Sequence, residues 1–225
     1  MSISMSWFAV AHKPTATIFK NLTLADTGEP ASFGTSKIMG VMLPNDWYLI
    51  VLDEFWHPFI RTDDSSFIRI DPMLTLSYNR GNDCEVVGCS ENESTNSSLA
   101  FYHRKDNQVW RVGHVLDEGV DHFDVEGTLP EGFEIKLTEA IKLSQQEHYD
   151  AVYSLPARLA EEVCGFHYDQ IQSLKFTELV QIPKISTTTM HQTISARLEP
   201  LLEKHGFRKN AEGDWVATSA NEEIT

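Results

Sequence analysis

Apolar residues crowd together over Ser6 to His12 (SWFAVAH), and this predicts a short first strand. Pro14 favours a helix start, and Ala16, Ile18, Phe19 and Leu22 then form a short helical stripe. The punctuation Asp26-Thr27-Gly28-Glu29-Pro30 reads as a loop. Ile38 to Leu43 is apolar, Pro44-Asn45-Asp46 is a tight turn, and Trp47 to Leu52 (WYLIVL) is continuously apolar. The two runs predict a hairpin, its second strand buried on both faces.

Residues 53–83 carry no clear period, although Trp56, Phe59 and Phe67 are expected to tuck into the body. A short helix is expected from Asp71-Pro72 to Tyr78, closed by Arg80-Gly81-Asn82-Asp83. The clearest pattern follows. Cys84–Cys89, Leu99–Arg104, Gln108–Val115 and Val120–Gly127 are four strand-like runs. They are joined by a Ser/Asn/Glu-rich loop at 90–98, by Lys105-Asp106-Asn107, and by Leu116 to Gly119. This spacing predicts an antiparallel meander. Period-two alternation puts Trp110, Val112 and His114 on one face. It sets Phe123 and Val125 against His122, Asp124 and Glu126.

After Pro130 the period changes. Phe133, Leu137 and Ile141 recur every four residues. Ser154 is placed to cap a helix with Pro156 in its first turn, a stripe of Leu155, Leu159 and Val163, and Gly165 as its stop. Residues 166–184 give no firm pattern. Ser186 or Thr187 opens a longer helix bearing Met190, Ile194, Leu198, Leu201 and Leu202. Phe207 to Ala217 then closes as a hairpin around Ala211-Glu212-Gly213, with Trp215 as an anchor. The expected fold class is α+β: an antiparallel meander sheet packed against helices, with a helix-rich C-terminal third. Residues 1–225 are expected to form a single domain. A subdivision into a sheet-rich part, 1–150, and a helical part with a terminal hairpin, 151–225, fits equally well.

Charge sharpens this picture. The 225 residues hold 33 acids against 18 Lys and Arg, a net charge of −15. That balance argues against gripping nucleic-acid phosphates or an anionic membrane, and it suits a basic protein partner. The excess is uneven: residues 111–170 hold 13 acids and 4 bases. Its densest part is Asp117, Glu118, Asp121, Asp124 and Glu126, the expected partner-binding residues. No run of 18 apolar residues and no secretory pattern at the N-terminus is present, so the expected location is the cytoplasm. Three cysteines, Cys84, Cys89 and Cys164, fit a reducing compartment better than a disulfide framework. In that setting the acceptor triplets at Asn21, Asn92 and Asn96 read as chance matches.

Candidate chemistry is thin. GxGxxG, a Walker loop and GxSxG are absent, so no cofactor and no enzymatic activity is expected. The sharpest constellation is His114 and His122 with Asp117, Glu118, Asp121 and Asp124. Imidazole and carboxylate at one turn can hold a divalent ion or move a proton, although the spacing matches no metal motif. His57, between Trp56 and Pro58, reads as a packed histidine. Cys164 beside His167 and Asp169 has the makings of a thiol and its base, without a supporting signature.

Met5-Ser6-Trp7-Phe8-Ala9-Val10, Asp46-Trp47-Tyr48-Leu49-Ile50 and Val109-Trp110-Arg111-Val112-Gly113-His114 resemble a family of uncharacterised bacterial proteins that begin MSWFAV. The resemblance spans residues 5–170, and the chain departs from it at Gly113 and Val115, where that family tends to be charged. Small acidic bacterial proteins of this look often sit beside secreted toxins as immunity proteins. The resemblance therefore implies an immunity-type protein that binds and neutralises a cognate, basic toxin domain. The alternative is a metal-assisted hydrolase using His114, His122 and neighbouring carboxylates.

Overall fold

The computed structural model describes residues 4–53, 84–105, 107–147 and 150–182, with short stretches between 200 and 217. The chain divides into two compact units, Met1–Ile182 and Pro183–Thr225. Among the described residues no helix is long and apolar enough to cross a membrane.

In the first unit, β1 (Ser4–Ala11) leads into α1 (Thr15–Leu22), β2 (Leu24–Ala31), β3 (Ile38–Met42) and β4 (Tyr48–Leu52). The meander is β5 (Glu85–Asn92), β6 (Ser97–Arg104), β7 (Asn107–Val115) and β8 (Asp124–Gly127). Two helices follow, α2 (Phe133–Glu147) and α3 (Leu155–Cys164), and then β9 (Phe176–Gln181). All nine strands form one sheet in the order β2-β9-β3-β4-β1-β5-β6-β7-β8, and every pairing in it is antiparallel. The α+β class and the meander are as the periodicity predicts.

β1 lies at the centre of the order, and its side chains alternate between two cores. Met5, Trp7, Ala9 and Ala11 join the core beneath α2 and α3, with Phe133, Leu155, Leu159 and Phe166. Phe8 and Val10 join the core beneath α1, with Ile18, Leu22, Ile50 and Leu52. Trp7 packs edge-on against Phe166, with ring centroids 5.1 Å apart. All five residues of β4 are buried, as a continuously apolar strand requires. The hairpin before it closes at Asp46, whose φ of 65° is reachable by Asp at modest cost. α3 ends at Gly165 in the left-handed conformation that the stop predicts. Ser154 stands at the N-cap, but its hydroxyl donates to the Ala151 carbonyl instead of capping the helix. An ion pair between Lys136 and Glu162 ties α2 to α3.

Three expectations need correction. The stretch Asp26–Pro30 is strand, not loop. β2 is an edge strand, where Gly28 at φ 74° and Pro30 are accommodated by a break in register. The C-terminal third is not helix-rich over its described residues. Phe176–Gln181 forms β9, inserted between β2 and β3. Its buried residues Phe176 and Leu179 serve opposite cores, so their spacing of three hides the strand period. Finally, the loop expected at 90–98 shortens to residues 93–96, because β5 continues through Ser90 and Glu91 to Asn92.

In the second unit, β10 (Phe207–Lys209) pairs with β11 (Trp215–Ala217), as the closing hairpin predicts. Of the preceding helix only Pro200, Glu203 and Lys204 are described, and they are helical. Trp56, His57, Phe59, Phe67, the helix expected from Asp71 and the turn at 211–213 lie outside the described residues.

Packing at Gly88 offers a test of this sheet. A Cβ there would press on the Phe101 ring and stand 2.9 Å from the Trp7 carbonyl oxygen. Gly88→Ala is expected to destabilise by about 1–3 kcal/mol, the range for forcing volume into a closed core. A urea midpoint that does not fall, at unchanged slope, would contradict this packing.

Candidate functional site

The turn after β7 positions the acidic residues. β7 ends at Val115, Leu116–Glu118 make a single 3-10 turn, and Gly119 at φ 132° redirects the chain toward β8. Asp117, Glu118 and Asp121 are exposed on this turn, while Asp124 and Glu126 stand on the edge strand. Their roles differ. Glu126 accepts from Arg111 at 2.9 Å and from Gln108 at 3.3 Å. Glu118 and Asp124 lie 3.0 Å and 3.5 Å from His122 Nε2. Asp117 and Asp121 make no ion pair among the described residues.

The two histidines meet, with ring centroids 6.3 Å apart. His114 is fully buried on the face of Trp110 and Val112, as the alternation predicts. Its Nδ1 donates to the His122 carbonyl at 2.7 Å, and its Nε2 lies 2.8 Å from Asp150 Oδ2. Both ring nitrogens therefore face oxygen acceptors, and a proton is held along the Nε2–Oδ2 contact. The other Asp150 oxygen accepts the Tyr153 backbone N–H at 3.1 Å. His122 Nδ1 accepts the Val115 N–H at 3.2 Å, so its proton sits on Nε2, toward Glu118 and Asp124. Every imidazole nitrogen of the pair is thus occupied by a protein group. Among the described residues no three His, Cys, Asp or Glu side chains converge as metal ligands do. The arrangement is a clamp that fastens the acidic turn to the loop before α3.

That loop also walls a cleft of about 670 Å³, which the sequence pattern did not reveal. Glu91 on β5, Asn96 on the β5–β6 turn, Asp150 and Tyr153 in the loop, and Arg158 and Glu161 on α3 line it. Glu93, Ser154, His167, Tyr168 and Asp169 complete the wall. The cleft adjoins the acidic turn, since Asn96 accepts the Leu116 N–H at 3.3 Å and Asp150 holds His114.

Glu91 is the unusual group. It is 1 % exposed, and its Oε2 has no hydrogen-bond partner among the described residues. Burial, reinforced by Glu93, pushes its carboxyl up to about 8. The available signal was alternation, because Val87, Cys89 and Glu91 share the face beneath α3. A Ser/Asn/Glu-rich run obscured it. Nearby, His167 Nδ1 stands 3.1 Å from Asp169, and its ring lies tilted against Tyr168 with centroids 4.4 Å apart. Cys164 does not join them as a nucleophile. It is buried, and burial pushes its thiol up to about 12.

No protein-family model, no curated protein and no solved structure matches this chain.

Two outcomes are expected. Removing one partner of the His114–Asp150 clamp leaves the other buried and unpaired, so Asp150→Ala should cost about 3–5 kcal/mol. Asp117→Ala should leave the urea midpoint unchanged. Equal midpoints for both variants would refute the clamp. The second outcome concerns pH. The folded Glu91 carboxyl holds its proton up to about 8, against 4.5 for the free group, so folding takes up a proton between these values. The stability contributed by this group then falls as pH rises from about 5 to about 8, by at most about 1.4 kcal/mol per unit. In Glu91→Gln that component disappears, and the advantage of the variant over the parent grows with pH. Parallel stability curves would refute the assignment.

Proposed function

We propose that the chain is an immunity-type binding protein, acting in the cytoplasm, that receives a basic toxin domain on the acidic face built from the β7–β8 turn and α2. The observation that carries this reading is the composition of residues 116–147. They hold nine acids and two bases, together with exposed Val120, Val125, Ile135 and Leu143. Ile135 is 65 % exposed on the outside of α2, whose opposite stripe of Phe133, Leu137 and Ile141 packs inward. Carboxylates beside exposed apolar side chains match what a basic interface needs. The charges raise the encounter rate and set orientation, and the apolar groups supply contact area. A groove of about 150 Å³ over the paired residues of β7 and β8, lined by Arg111, Val112, Gly113, Asp124, Val125 and Glu126, gives a partner side chain somewhere to seat. Asp117 and Asp121 make no ion pair among the described residues and stand ready for a partner's cations. The resemblance over residues 5–170 to MSWFAV proteins adds to the reading.

The test is association kinetics with the partner that co-purifies from the native host, followed by stopped-flow across a salt series. The parent protein should associate rapidly at low salt and slow steeply as salt rises. Reversing Asp117, Glu118, Asp121, Asp124 and Glu126 to lysine should slow association at least about tenfold and flatten that dependence. Identical rates and salt slopes in parent and variant would remove these acids from the interface.

A further inference from the structure

We propose that the cleft at the end of β5 is a binding site for a positively charged ammonium or guanidinium group, with Glu91 as its buried counter-charge. The inference stands apart from the acidic face, and it holds whether or not that face receives a protein.

The first support is the orphaned oxygen. Oε2 of Glu91 is an acceptor shut away from bulk water with no donor among the described residues. An unsatisfied buried acceptor is costly, and a ligand that supplies the missing donor removes that cost. An ammonium offers three donors and a guanidinium five. The second support is space, since about 670 Å³ is ample for an alkylammonium chain. The third is the sign of the walls. Glu93, Asp150, Glu161 and Asp169 join Glu91 in the lining, and these carboxyls disfavour an anion. The cationic neighbours are few: Arg158 is exposed, and His167 is already held by Asp169. Tyr153 and Tyr168 contribute aromatic rings, which a cation tolerates well.

The site is proton-linked. In the empty cleft Glu91 is a neutral acid at pH 7, because burial and Glu93 hold its carboxyl at about 8. When a cation enters, the carboxyl O–H bond breaks, its proton passes to buffer, and carboxylate and cation remain paired. The strand neighbours of Glu91, Met5 and Ser98, carry no charge. The thiols of Cys89 and Cys164 and the Tyr153 phenol, all pushed up by burial, stay protonated from pH 6 to 8. His167, Asp150, Glu161 and Asp169 are common to the parent and to Glu91→Gln, so the difference between the two isolates Glu91.

Calorimetric titration with n-butylammonium chloride at pH 6, 7 and 8 tests this. Saturable one-to-one binding is expected, strengthening by up to about tenfold per pH unit, with close to one proton released at pH 7. Glu91→Gln should abolish both binding and release. Arg158→Gln, which removes the exposed positive charge, should tighten binding a few-fold and keeps the test decisive if the first variant does not fold. A parallel titration with the tripeptide Gly-Lys-Gly separates the sources. Uptake of n-butylammonium shows that a free amine suffices, and uptake of the tripeptide alone assigns the site to a polypeptide side chain. Failure of both probes to bind overturns the proposal. So does an affinity that is independent of pH and unchanged in Glu91→Gln, or equal binding of neutral n-pentanol.

Discussion

A strand buried on both faces is the constraint on which the rest of this structure depends. β1 pairs with β4 on one side and β5 on the other, and from Met5 to Ala11 none of its side chains reaches water. Such a strand cannot stand at an edge, and it needs cover above and below. α1 supplies cover on one face, and α2 with α3 supplies it on the other. The edges then fall to the strands least harmed by exposure. β2 is short of apolar residues and broken in register, and β8 is flanked by carboxylates. Both devices discourage an edge from pairing with another chain.

The same constraint produces the cleft. β5 follows β1 in register from Ala11↔Glu85 to Ser4↔Asn92, so it remains a strand after its apolar residues run out. Its last inward positions are polar, and the sheet accommodates them in two ways. Ser90 and Ser6 share a hydrogen bond between their hydroxyls across the strands at 2.8 Å. Glu91 instead lines the cleft, opposite Arg158 and Glu161 of α3. A carboxyl in that place is held neutral by its surroundings, and its value reports the cost of charging it there.

Legibility in the sequence follows the same division. Where burial and residue type agree, the pattern is readable. WYLIVL is a central strand, Phe133, Leu137 and Ile141 form the inward stripe of α2, and His114 falls on the Trp110 face. Where tertiary pairing overrides local chemistry, it is not. Asp26–Pro30 carries loop residues and, among the described strands, is held as strand by β9. Phe176 and Leu179 are divided between two cores, so neither face shows a period. The acidic turn was visible because charge is a composition signal. Glu91 was not, because its significance is a matter of burial, and burial at a strand end comes from the partners β1 and β6.

The two sets of carboxyls do different physical work, and the clamp keeps them in register with each other. Asp117, Glu118 and Asp121 are exposed, so their field extends into solvent and decays over about 8–10 Å at ordinary ionic strength. Such charges act on the approach of a cation more than on its final affinity. Glu91, buried and neutral at pH 7, contributes little at a distance. Asp150 belongs to both regions: one oxygen holds His114, which holds the His122 carbonyl and hence the turn, and the residue lines the cleft. The turn is therefore joined to the cleft wall through two hydrogen bonds, 2.7 Å and 2.8 Å long. The exposed acids and the buried one are thus carried on one connected piece of structure.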